Sequence, residues 1–320
     1  MTPAEVTVEE RDMKQAGHDR NVDPAVSVGY GLLLRAGFAL TYVIYAMLFK
    51  LANQHGGSGP VDMLFYRALF ALPLVFAWSA RRSGIATLIP KSPIAHLCRS
   101  ALGILAVLFT YESFILLPLP LAVTISFTAP IFATLLSALI LHERVALHHW
   151  LAVAIGFAGI AIASKPGAAN ISSGSVAIAM TSAVLQGAVT VTLRRLGRKE
   201  TAGSIAFWFL VCSLFVGAAA MPSYGHWPDR TGLVLLAVGG VVSALMQVMM
   251  TASLQHAPVA LLSPIDYSQI VWAALLGLAV FGAMPSAETL LGATLVTASG
   301  VMVTWFDRRA RRRAEASFVP

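Results

Sequence analysis

Charge is what this sequence has least of. Only 12% of its 320 residues are Asp, Glu, Lys or Arg, against 57% hydrophobic. A soluble globular chain carries about 25% charged residues, so this balance excludes that class. Cysteine is nearly absent: Cys98 and Cys212 both lie in apolar or membrane-edge context. Two such thiols exclude a disulfide framework and a cysteine metal site. His148-His149 lacks the Glu and the spacing of a metal motif. No G-x-x-x-x-G-K-[ST] loop occurs, which excludes ATP-driven work within this chain. No cofactor is expected. The net charge of +7 lies in loops and tails rather than on one face. It reads as topology information, and no nucleic-acid partner is expected.

What is present comes in apolar blocks of about 20 residues, the length that crosses the hydrocarbon core of a bilayer. They lie at 28–50, 61–80, 94–115, 118–141, 148–165, 174–193, 202–221, 231–254, 258–281 and 287–306. The expected fold is an all-α membrane protein of ten transmembrane helices, with the lipid bilayer as its surroundings. Residues 1–27 carry both signs of charge and no apolar run, so they read as a disordered cytoplasmic tail rather than a signal peptide. Residues 308–320 form a basic cytoplasmic tail. Arg81, Arg82, Lys91, Arg144, Arg194, Arg195, Arg198 and Lys199 fall in loops on one side. The positive-inside rule places that side, and both termini, in the cytoplasm. Trp78, Trp150 and Trp305 fall at cytoplasmic span ends, as an aromatic belt would. The expected location is the bacterial inner membrane, and the expected state a monomer.

The chain also repeats. The stretch 118–165 has a weaker copy at 258–305, with Pro120-Leu-Ala122 against Pro258-Val-Ala260. Each half, 28–166 and 167–307, holds five spans. An odd number makes the second half enter the membrane from the other side, giving two inverted five-helix repeats. Such repeats, with a site between them near the midplane, mark secondary transporters.

A charged group at mid-membrane costs about 2.5–3.5 kcal/mol on insertion scales, so each one needs a reason. Arg35, Arg67, Glu112, Glu143 and Asp266 stand out. Asp266 sits beside Pro264 and Tyr267, where the proline frees the Ala260 carbonyl. A carboxylate there suits a substrate ammonium group or a proton, or a structural hydrogen bond. Arg67 and Glu112 should lie at similar depth near the outer side, as a charge pair or gate. Glu143, in the turn after span four, reads as a clamp or a gate. Arg35 is expected to snorkel to the cytoplasmic face. Pro130 bends span four or frees the Ser126 carbonyl. Tyr42 and Tyr45 in span one, with Tyr111, Trp208, Tyr267 and Trp272, make an aromatic cavity wall plausible, against packing or lipid contact.

Phe65-Tyr-Arg-Ala-Leu-Phe-Ala, the proline-centred span four, Leu141-His-Glu-Arg-Val and Gly156-Phe-Ala-Gly-Ile resemble the EamA family of the drug/metabolite transporter superfamily, over about 28–306. The acidic residue usual after span nine is replaced here by Ala283. The resemblance implies a ten-helix carrier of small metabolites, often amino acids, often outward, with spans three, four, eight and nine lining its cavity. Sparse charge and many aromatics favour a neutral or aromatic amino acid as the exported substrate. Alternatives are drugs or purine-like compounds, and a membrane-embedded lipid enzyme. The absence of a His/Asp/Glu cluster at one depth argues against the enzyme.

Overall fold

The computed structural model describes residues 24–141, 147–163, 171–197, 200–257 and 259–316. Among these are twelve α-helices and no strand. In hydrocarbon every backbone N–H and C=O must be satisfied within the segment, and the helix does this. The helices are α1 (Pro24–Gly56), α2 (Pro60–Ser83), α3 (Pro93–Leu116), α4 (Leu119–Ser126), α5 (Ala129–Leu141) and α6 (Leu147–Ala163). They continue with α7 (Ser173–Leu196), α8 (Ala202–Tyr224), α9 (Arg230–His256), α10 (Val259–Asp266), α11 (Ser268–Phe281) and α12 (Ala287–Ala316). Six are long and apolar enough to cross a membrane, and four shorter apolar helices complete a set of ten. The fourth span is α4 with α5, and the ninth is α10 with α11. The turn that holds Glu143 lies outside the described residues.

Large apolar side chains face outward around the bundle, among them Leu69, Ile94, Phe215, Val234, Val271 and Leu291. Water would not tolerate so continuous an apolar belt, and lipid does.

The two interrupted spans break for different local reasons. Pro130 is the second residue of α5. Its ring cannot follow the carbonyl of Ser126 in a regular helix, so α4 ends there. The gap tightens into a 3-10 turn: the Thr128 N–H donates to the Ile125 carbonyl at 3.0 Å, and the Thr128 hydroxyl donates to the same oxygen at 2.7 Å. In the ninth span the helix does not yield at Pro264. It runs on to Asp266, and Tyr267 interrupts it. The two breaks touch, with the Phe127 and Tyr267 rings 5.0 Å apart. The helix starts at Leu119 and Val259, and the breaks at Phe127 and Tyr267, set a repeat register two residues away from the proline match read in the sequence.

Packing follows the repeat. Span one packs on span eight (α1 on α9), and span six packs on span three (α7 on α3). Likewise α5 lies on α7 as α11 lies on α1, and α2 on α9 as α8 on α3. Spans two and seven meet, as do spans five and ten. Exchanging each span for its counterpart in the other half reproduces the same list, as a two-fold relation between halves requires. Two acids obey the relation as well. Asp62, at the start of span two, accepts from the Gly59 and His226 backbone N–H groups at 2.7 and 2.8 Å. Glu200, just before span seven, accepts from the Lys91 and Ser92 N–H groups at 2.7 and 3.0 Å. Each acid thus ties the start of a helix in its own half to the loop between spans two and three of the other, on opposite faces of the bundle.

The last spans of the two halves, α6 and α12, approach closest at Gly159 and Gly292. A Cβ on Gly292 would collide with the Gly159 carbonyl oxygen and come within 3.0 Å of the Ala163 backbone nitrogen. Small residues of this kind let helices gain van der Waals contact where no hydrophobic force drives them together. Gly292→Leu is therefore expected to destabilise by about 1–3 kcal/mol, the usual cost of overpacking. Gly29→Ala, at a position with open space around it, should leave stability unchanged. Thermal unfolding of both variants in one detergent checks this.

Candidate substrate cavity

A cavity of about 270 Å³ lies between α2, α3, α7, α8 and α9. Each helix contributes a stripe of residues at spacings of three and four, the periodicity of one helix face. On α2 the stripe is Arg67, Ala71 and Val75; on α7 it is Gln186, Val189 and Leu193. The cavity runs from Arg67 to Leu193, Ala202 and Leu254, which lie at or within a turn of their helix ends. It therefore lies in the half of the bundle nearer the face that carries the 84–92 connection. Most of the wall is apolar, with Gln186 and Gln247 among its few neutral polar groups.

Arg67 forms the deep end and is only 8% exposed. Its Nη1 donates to the Tyr111 hydroxyl at 3.3 Å, and its guanidinium lies 5.5 Å from the Tyr45 ring centroid. The Tyr45 and Tyr111 hydroxyls are hydrogen-bonded to each other, and Phe49 packs edge-on against both rings. These fully enclosed aromatics close the cavity on its far side. Nearby, Lys50 donates to the carbonyls of Phe114 and Leu117 at 2.8 and 2.6 Å, capping the C-terminal end of α3 from across the bundle.

A second cation shares the wall. The Arg99 guanidinium lies 4.3 Å from the Phe209 ring centroid, and that of Arg67 lies 5.6 Å from the same ring. Gly103, one turn after Arg99, makes this possible: a Cβ there would meet Arg99 Nη1 at 2.8 Å and the Phe209 ring at 3.0 Å. The Nε atoms of Arg67 and Arg99, and Nη1 of Arg99, are buried without a hydrogen-bond partner. Among the described residues no Asp or Glu lines the cavity.

The other residues singled out by sequence go elsewhere. Asp266 is paired with Arg35, Nε to Oδ1 at 2.5 Å and Nη2 to Oδ2 at 2.6 Å. Arg35 thus does not snorkel, because a bidentate carboxylate partner lies within reach inside the bundle. Asp266 in turn presents no free carboxylate to a solute. Arg67 and Glu112 form no ion pair: Tyr111 takes the α3 position facing Arg67, and the next residue is turned about 100° around the helix. Trp272 is 36% exposed beside Val271 and Leu275, on the outer face of α11. Trp208 donates its indole N–H to the Leu88 carbonyl at 2.7 Å and anchors the connection after α2. Tyr42 packs on Phe38, Tyr45 and Phe114, and Tyr267 on Phe127. Pro130 is at the span-four break, and among the described residues none of the fourth or ninth span lines this cavity. Both interrupted spans are packed against neighbours instead, α5 on α7 and α11 on α1.

Sequence reasoning missed Arg99, Phe209, Gln186 and Gln247. Arg99 carried a usable signal, since it lies inside the span expected at 94–115. Phe209 and the glutamines carried none beyond their place on helix stripes.

Ten membrane spans in paired halves, with a cavity between them, are a carrier's architecture, and comparison with known proteins names the kind. The EamA-like transporter family model matches twice, at 29–165 and 173–305. The chain belongs to this family. One EamA relative is the riboflavin transporter of Rhizobium johnstonii, 28% identical over 95% of this chain and 99% of that protein. The pseudopaline exporter CntI of Pseudomonas aeruginosa is 26% identical over 86% and 95%. The S-adenosylmethionine uptake transporter of Rickettsia bellii is 22% identical over 77% and 82%. A solved crystal structure matches with a TM-score of 0.62 over 87% of this chain and 98% of its own, at 19% identity, which shows the fold. This EamA-like transporter is a multi-pass membrane protein. The lipid-enzyme alternative falls, since the relatives are named transporters.

The Arg35–Asp266 pair makes a direct prediction. Asp266→Asn leaves a buried guanidinium without its counter-ion, at 13 and 19% side-chain exposure. The expected cost is about 2–4 kcal/mol, somewhat below that of a fully buried broken pair. Arg35→Gln combined with Asp266→Asn should recover most of it, as read by thermal unfolding in detergent. An Asp266→Asn protein of wild-type stability that no longer transports would instead give the carboxylate a role in transport.

Proposed function

We propose that this EamA-like transporter exports a small organic solute from the cytoplasm by alternating access, binding it in the cavity floored by Arg67. One observation carries the reading: the cavity is open along five helices toward one face and closed at its deep end by Tyr45, Tyr111 and Phe49. The face nearest the cavity is the one whose helix ends and connections hold Arg81, Arg82, Lys91 and Arg195, and the positive-inside rule makes it cytoplasmic. With an even number of spans, both termini share that side. This is the state that loads a cytoplasmic solute. Secondary carriers bind between their halves near the midplane, and here each half supplies part of the wall.

An amino acid meets half of its requirements in this site. A guanidinium suits its carboxylate, and no acid is present for its ammonium group. The relatives are named for chemically different solutes, one for uptake and one for export, so family membership alone selects neither solute nor direction.

Two measurements test the proposal. In a Cys98→Ser/Cys212→Ser background, Gln247→Cys should react with an impermeant maleimide in inside-out vesicles at least tenfold faster than in right-side-out ones. Faster reaction from the outside would sink the cytoplasm-open assignment. Counterflow in proteoliposomes, with labelled amino acids, nucleobases and organic acids, should show saturable exchange for at least one class. No exchange across that panel would remove the carrier reading.

A further inference from the structure

We infer that the substrate of the cavity is an organic anion, a carboxylate or phosphate ester, held by the guanidinium groups of Arg67 and Arg99 over Phe209. This rests on the reading of the cavity as the substrate site. Asp266 has Arg35; Asp62 and Glu200 each accept two backbone N–H groups; Lys50 caps carbonyls. Among the described residues of the bundle interior, only in the cavity are two like charges gathered with no acid beside them, and three buried N–H-bearing nitrogens there lack acceptors.

Neither aromatic contact nor hydroxyl contact fills that gap. The Phe209 and Tyr45 faces attract the cations through their quadrupoles but bring no formal negative charge. Tyr111 accepts one hydrogen bond from Arg67 and leaves its Nε free. An oxyanion entering from the open face would neutralise both guanidiniums and accept from their unused N–H groups. The planar fork of arginine matches carboxylate and phosphate oxygens for this purpose. The rest of the wall sets the remainder of the solute. Val75, Val107, Ala206 and Leu210 suit an apolar body, and Gln186 and Gln247 offer neutral hydrogen bonds. A cation or a free amine meets two like charges and no counter-charge. The site thus selects for negative charge, and against the neutral amino acid that composition suggested.

The test uses the purified full chain and five small probes of matched size: benzoate, phenyl phosphate, benzamide, benzylamine and phenylalanine. Benzoate or phenyl phosphate should raise the thermal unfolding temperature saturably, and benzamide and benzylamine should not. Phenylalanine should bind at least tenfold more weakly than the better anion. Arg99→Gln should weaken that anion at least tenfold, and Arg99→Lys should restore part of the loss. Equal stabilisation by benzamide or benzylamine overturns the inference, as does unchanged binding in Arg99→Gln, or no shift with either anion. The comparison of probes on wild-type protein stands even if Arg67→Gln fails to fold. Counterflow separates this inference from the carrier reading. An anion that binds but never exchanges overturns the carrier and leaves the anion site. Exchange of a neutral solute, indifferent to Arg99→Gln, does the reverse.

Discussion

A charge held in hydrocarbon must find its partner within the protein, and this constraint organises the bundle. Water is absent to solvate it, and the cost of leaving it alone is a few kcal/mol or more. Arg35 and Asp266 satisfy one another and in doing so fasten α1 to the end of α10. Asp62 and Glu200 are satisfied by backbone N–H groups and fasten loops to helix starts. Lys50 is satisfied by helix-end carbonyls and fastens α1 to α3. In each case the charge crosses from one element to another, so solvating it and holding the fold together are the same act. Arg67 and Arg99 have no acid beside them, and they stand at the cavity.

The repeat explains why these fasteners come where they do. Asp62 and Glu200 occupy related places in inverted halves, so one sits on each face of the membrane. Each has a histidine close by, His226 at 3.7 Å and His96 at 3.3 Å. The two acids are thus equivalent fasteners at opposite ends of the bundle. The breaks of spans four and nine meet at Phe127 and Tyr267.

Length and hydropathy made the ten spans legible, because a bilayer of fixed thickness imposes one length on every helix. Both helix breaks were also visible in outline. Pro130 acts at the position its chemistry dictates, whereas Pro264 stays within its helix and Tyr267 is where the interruption falls. The site was far less legible. Cost arguments picked out Asp266 and Arg35 correctly as charges that need a reason, and could not join them, since 231 residues separate the two. Joining them needs the knowledge that span nine lies on span one, which follows from the packing of inverted halves and not from any local pattern. Aromatic residues gave weak guidance for the opposite reason: they are common in spans, and most of those considered serve as packing, belt or anchor.

The asymmetry between the halves also changes meaning. In the sequence, Asp266, Tyr267 and Trp272 all fall in the second copy. In the structure Asp266 is a fastener, Trp272 faces outward, and the cavity draws on both halves. The first half supplies the two cations, from α2 and α3. The second supplies Phe209 and the glutamines, from α7, α8 and α9. The cavity wall is therefore completed only where the two halves meet. Asp266 and Arg35, which looked most chemical, hold the halves together, and the cavity is left to a pair of arginines with no acid beside them.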